Sequence, residues 1–112
     1  MYIDLENDIH LAAATRVTKH LTMKPQTSYV LSACIKPSPY YLENEDYSFE
    51  PSKSGFLKHQ PELHIAPALV KLKNWKFPLQ LSNTSNKNIT IKKGCLMGTL
   101  DKISDSNIET KE

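Results

Sequence analysis

The stretch Lys71-Leu72-Lys73-Asn74-Trp75-Lys76 brings three lysines within reach of the only tryptophan. Lys71, Lys73 and Lys76 could track a phosphate backbone while Trp75 offers a ring for a base to stack on. That is the chemistry of single-stranded nucleic-acid binding. A single aromatic is a poor stacking platform, however, and the same residues read more readily as a solvated β-turn with the tryptophan folded onto a sheet. Arg16 is the only arginine. A surface dedicated to phosphates or bases favours the planar guanidinium fork, so its scarcity weighs against such a surface.

Other reactive side chains lack a pattern. His10, His20, His59 and His64 form no ligand spacing with cysteine or carboxylate, so no metal and no cofactor is expected. No nucleophile sits in a G-x-S-x-G frame, and three glycines, Gly55, Gly94 and Gly98, make no phosphate-cradling loop. Cys34 and Cys95 both fall in expected strands, where the ordinary reading is two buried, reduced thiols. A net charge of +2 sets no electrostatic theme for a partner.

The elements that would position these residues are short strands. Phe77, Leu79 and Leu81 alternate with Pro78, Gln80 and Ser82, the period of a half-buried strand. Asn83 to Asn88 is polar and amide-rich, a loop. Ile89 and Ile91 alternate again. Lys92-Lys93-Gly94 makes a tight turn with a glycine free to take positive φ, and Cys95–Leu100 is the last strand. Upstream, Ile9–Thr18 reads as a strand in preference to a helix, because it ends in threonine and valine. Ser28–Ile35 puts Tyr29, Leu31, Ala33 and Ile35 on one side. Lys36-Pro37-Ser38-Pro39 ends it, since proline removes ladder donors. A short strand near Tyr47–Glu50 follows a loop, and Pro51–Gly55 is a turn. Glu62–Val70 carries two inward pairs, Leu63 with Ile65 and Ala68 with Val70, and Pro67 marks an edge or a bend.

About seven short strands in 112 residues indicate a single all-β domain, a sandwich or barrel. It is bounded at 9–103, with flexible ends at 1–8 and 104–112. The acidic start, MYIDLENDIH, is unlike a secretory leader, and no apolar run approaches the roughly 20 residues of a membrane span. An intracellular protein with no membrane association is the expectation.

The order of features carries a resemblance. Lys24-Pro25, the strand Ser28–Ile35, Phe49-Glu50-Pro51, the run Leu63–Val70, Pro78–Ser85 and Ile91–Leu100 together resemble the segment between protease and reverse transcriptase in Pol polyproteins of Ty3/gypsy-type LTR retrotransposons. That segment is similar in turn to the trimeric deoxyuridine triphosphatase (dUTPase) fold, a jelly-roll-like β-barrel or sandwich. Asn83, Ser85, Ile91 and Gly94–Leu100 resemble its closing strand pair. Pro51-Ser52-Lys53-Ser54-Gly55 is similar to its phosphate-binding turn, with lysine for arginine. The resemblance makes Lys53, Ser54 and Gly55 vestigial phosphate-turn candidates, although a plain surface turn has the same composition.

The family's catalytic parts do not carry over. The hairpin that should hold the water-orienting aspartate reads Lys71–Phe77 with no acid, and no aspartate occurs between Asp46 and Asp101. The glycine-rich C-terminal arm is missing too. The resemblance therefore implies a fold retained without the activity: a structural or interaction module, free-standing or within a polyprotein, in the cytoplasm or a virus-like particle. It would self-associate as a homotrimer or space the neighbouring protease and reverse transcriptase. The alternatives are an active dUTP pyrophosphatase and a weak binder of single-stranded nucleic acid. Asn83, Gly94 and Gly98 are expected at structural turns. Leu96 and Met97 are expected at the oligomer contact, because Cys95–Leu100 carries no charge and an uncharged strand edge needs cover.

Overall fold

The computed structural model describes residues 12–103. The expected flexible ends, 1–8 and 104–112, and the beginning of the expected first strand, 9–11, lie outside the described residues. Within them the chain is all-β, with one short 3-10 helix and no α-helix. Nine strands follow in order: β1 Ala13–Val17, β2 Leu21–Met23, β3 Thr27–Cys34, β4 Asp46–Pro51, β5 Leu63–Ile65, β6 Ala68–Lys71, β7 Lys76–Asn83, β8 Ile89–Ile91 and β9 Leu96–Lys102. Seven of them form one antiparallel sheet in the order β5-β7-β3-β1-β9-β4-β6, and β2 pairs with β8 alone.

Period-two alternation builds this sheet. On β3, Leu31 and Ala33 point inward, and Ile35 just beyond its end is buried with them; on β7, Phe77, Leu79 and Leu81 do the same. Their partners in register, Leu31 with Leu79 and Ala33 with Phe77, stack side chains on the buried face. Phe49 from β4 meets Phe77 with ring centroids 6.1 Å apart, so the two halves of the sheet share one core. β2 and β8 add Met23, Ile89 and Ile91 to it. Pro78 lies on the part of β7 that β5 leaves uncovered, since β5 pairs only as far as Leu81. That is the position where a strand tolerates proline.

The sheet is strongly curled, and the chain itself requires it. Edge strands β5 and β6 are separated by two residues, Ala66 and Pro67, so Ile65 and Ala68 can be no more than about 11 Å apart. A flat sheet of seven strands would hold its edges roughly 29 Å apart at the usual inter-strand spacing. The sheet therefore bends into a half-barrel. The expected single run Glu62–Val70 is corrected here: it is two edge strands on opposite sides of the seam, and Pro67 is the bend between them. Val70 is buried, but Ala68, expected beside it, is exposed.

Other expectations change in detail. The strand near Tyr47–Glu50 spans Asp46–Pro51. The turn expected at Pro51–Gly55 leads into the 3-10 helix Gly55–His59, which no periodicity announced. The last strand begins at Leu96 and runs to Lys102, taking in Asp101. It is not an edge: β9 lies between β1 and β4. Its register with β1 shifts after Thr15, pairing Thr15 with Gly98 and Arg16 with Leu96, which leaves Met97 as the extra residue of a bulge.

Candidate functional site

The lysine–tryptophan stretch folds as a two-residue hairpin turn. Lys73 and Lys76 exchange both backbone hydrogen bonds at 2.9 Å, and the residues between them, Asn74 and Trp75, have φ of 53° and 63°. Two left-handed residues in succession are the mark of a type I′ turn, and a tryptophan there is strained. A carboxylate from elsewhere holds the turn. Glu43 accepts from the amide of Asn74 at 2.5 Å and from that of Trp75 at 2.9 Å, one bond to each oxygen. Asn44 donates its amide to the Leu72 carbonyl, and Leu72 donates to Glu45, so the whole 43–45 loop is clipped to the hairpin.

The four nucleic-acid candidates are thereby split. Lys73 and Lys76 are exposed and opposite each other. Lys71 sits on β6, where its ammonium lies 3.3 Å from Asp46 and donates to the Asn44 carbonyl. Trp75 is half-buried and packs against the core, so its ring is partly withdrawn from a stacking role.

The phosphate-turn candidates Lys53 and Ser54 are exposed, and Gly55 takes φ of 66° as the 3-10 helix begins. The Ser54 amide, which a phosphate would need, donates to Ser52 Oγ at 3.2 Å. Among the described residues no three of His, Cys, Asp or Glu cluster as a metal set.

Of the turn residues, Gly94 stands as expected, with φ of 87°. Asn83 is corrected: it is the last residue of β7, buried, and works as a hub. Its Nδ2 donates to the carbonyls of Met23, Lys24 and Lys87, and its Oδ1 accepts from the amide and hydroxyl of Ser85. Gly98 is also corrected. It lies inside β9, where a side chain would run into Phe49 and the Glu50 carbonyl. The oligomer candidates are corrected in part: Met97 is wholly buried in its own core and cannot meet another chain, and Leu96 is half-buried.

Neither cysteine is fully buried, and Cys95 precedes β9 rather than belonging to it. Both are free thiols. Burial pushes the Cys95 thiol above its ordinary pKa, against a smaller downward pull from Arg16. Cys34 is opposite Arg16 on β3, whereas Cys95 lies on the β9 side of β1. Two strand spacings, roughly 10 Å, separate such positions, too far for a disulfide.

One concavity among the described residues was not foreseen. β1 and β3 pair only at Arg16–Cys34 and Val17–Ala33 and then splay apart. Between them opens a cleft of about 650 Å³, floored by Ile35 and Tyr41 and walled by Ala13, Ala14, Pro37 and Tyr40, with Arg16 and Lys36 the charged residues that line it among those described. Its volume is in the range of ligand-binding clefts. Tyr41 props one end. Its buried hydroxyl accepts from the Ala13 amide at 3.2 Å and donates to the Leu100 carbonyl at 2.6 Å, so it is inserted between two strands where a direct ladder bond would otherwise run. Burial raises the pKa of this phenol above its usual 10.0, with the Ala13 amide pulling the other way.

Tyr40 also lines a second, shallower cleft of about 500 Å³ with Leu42 and Ile103, rimmed by Glu45, Asp46 and Lys102. Tyr40, Leu42 and Ile103 are all exposed, so a broken apolar track joins the two clefts. The adjacent tyrosines after the proline pair 37 and 39 were the one sequence signal for this surface.

The sequence matches no model of a known protein family, and no curated protein matches it.

Proposed function

We propose that this chain is a non-catalytic interaction module with a dUTPase-like half-barrel, belonging to a retroelement Pol polyprotein or a domesticated derivative of one. Its work is to dock a neighbouring chain segment, such as one joined to the protease or reverse transcriptase. The observation that carries this reading is the exposed apolar track from the β1–β3 cleft through Tyr40 to Leu42 and Ile103. Apolar side chains that converge on concave surface mark a binding site more than they mark ordinary surface. The hairpin that would have to bear a catalytic acid supports the reading too: Glu43, the carboxylate that reaches it among the described residues, is committed to two turn amides.

Self-association is a second form of the reading, favoured by Leu69, which is 70% exposed on the edge strand β6. An uncovered apolar residue on a sheet edge is where a second copy would pair.

The test against the enzymatic alternative is incubation of the full chain with dUTP and Mg²⁺, following pyrophosphate. No release above the protein-free control is expected. Turnover of about 1 per second or more, the ordinary enzymatic range, overturns the proposal.

A further inference from the structure

The cleft between β1 and β3 is more specific than an apolar hollow, because one of its walls is an unfinished sheet edge. The direction of each backbone group along β1 follows from its neighbours. Val17 donates to the Cys95 carbonyl, on the β9 side, and Thr18 donates to Ser32, on the β3 side. Alternation then turns Ala14 and Arg16 toward β3, and Ala13 toward β9, where its amide meets the Tyr41 hydroxyl. At Arg16 the partner is Cys34. At Ala14 the described strand β3 has already ended, so the N–H and C=O of Ala14 face the cleft with no described strand to receive them.

Three features thus meet in one place: an open ladder position at Ala14, an apolar floor of Ile35 and Tyr41, and a rim whose charges among the described residues are Arg16 and Lys36. Arg16 spends one guanidinium nitrogen on the Gly94 carbonyl at 3.0 Å and keeps its charge. We infer that the cleft binds an extended polypeptide segment carrying an apolar side chain flanked by carboxylates. Its backbone adds to β1 at Ala14, as in strand addition to a sheet edge. The apolar side chain covers Ile35 and Tyr41, and the carboxylates face Lys36 and Arg16. A basic segment is repelled by the same rim, so the site selects by charge as well as by shape. The inference rests on the interaction-module reading and names the class of partner for it.

The experiment is amide-resolved NMR on the ¹⁵N-labelled full chain, titrated with the capped peptide acetyl-Ser-Asp-Ile-Glu-Ser-amide. Two control peptides are its neutral form, with Asn and Gln for the acids, and a form N-methylated at alternate amides. The expected result is saturable shifts at Ala14, Arg16 and Lys36. Binding should weaken about threefold or more for the neutral peptide, and by a similar factor in the exposed variant Lys36→Gln, the range set by single exposed ion pairs. It should be lost on N-methylation.

Shifts confined to another surface overturn the inference. So does equal binding of the acidic and neutral peptides, or of the N-methylated form, or the absence of saturable shifts at millimolar peptide. Shifts at the same amides that grow with protein concentration alone would assign the cleft to a second copy and overturn it as well. Since dUTP turnover is read by a separate assay, failure of the cleft and failure of the module reading are distinguishable.

Discussion

Gly98 has no side chain because Phe49 occupies the space for one. A Cβ built on Gly98 would lie 2.8 Å from two carbons of the Phe49 ring and closer still to the Glu50 carbonyl oxygen. β4 and β9 are paired there, Pro51 opposite Gly98, so neither backbone can withdraw without opening the centre of the sheet. Gly98→Ala is expected to destabilise by about 2–3 kcal/mol, the cost of overpacking against groups that cannot yield. Urea denaturation measures it, and an unchanged midpoint would show that the two strands have slack.

Gly94 gives the contrasting case. A Cβ there meets open space, but φ is 87°. Gly94→Ala should therefore cost about 1–2 kcal/mol through backbone strain alone. Gly94→Asn should cost less than Gly94→Ala, because asparagine tolerates positive φ. At Gly98, where volume decides, asparagine should be worse than alanine. Opposite rank orders at the two glycines are the outcome to look for in the same denaturation series.

The two hydrogens of the Asn83 side-chain amide are shared among three carbonyls and its oxygen holds Ser85, tying β7 to the end of β2 and to the loop before β8. Replacing it by leucine leaves buried acceptors with nothing to accept. A loss of about 2–4 kcal/mol is expected for Asn83→Leu, several times what an exposed loop asparagine would show. Asn83→Asp removes the donors and sets a carboxylate among the same carbonyls, so it should be at least as damaging. Thermal melts of the two variants check both statements.

Tyr41 makes stability depend on alkaline pH. Its folded-state pKa is raised by burial above the 10.0 of an open phenol. The folded state then holds its proton where the unfolded chain has begun to lose one. Its contribution is fully present below pH 10 and is lost as pH climbs through the raised value. Tyr41→Phe should remove that part of the alkaline decline. At neutral pH it should cost about 1–2 kcal/mol, from separating the Ala13 amide and Leu100 carbonyl that the hydroxyl joins. Comparing melting temperatures of the two proteins from pH 7 to 11 gives both numbers.

Much of the fold was legible where one physical rule acted alone. Strands β3, β7 and β8 and the turn at Gly94 follow from period-two burial and from the sterics of positive φ. What could not be read depends on how distant segments meet. Leu63–Ile65 and Ala68–Lys71 look like one strand until the curl of the sheet puts them on opposite edges. Gly98 looks like a turn glycine until Phe49 is placed over it. Met97 looks like surface until the β9 bulge and its interior position turn it into the core. The cleft was hidden for the same reason: the prolines after Ile35 mark where β3 stops, but that Ala14 and Tyr41 then face the space it leaves depends on how β1 and β3 meet, which no local pattern records.

The central claim is that this half-barrel docks another chain through the rim charges of its β1–β3 cleft, and a charge exchange tests it most directly. Fluorescence anisotropy would compare a labelled acidic–apolar peptide with its lysine-bearing counterpart, each on the wild-type chain and on Lys36→Glu. The wild type is predicted to prefer the acidic peptide, and Lys36→Glu, whose rim retains Arg16 beside the new carboxylate, to lose that preference, with the wild-type difference shrinking as salt is raised. Equal binding of the acidic peptide by the wild type and Lys36→Glu would contradict the account.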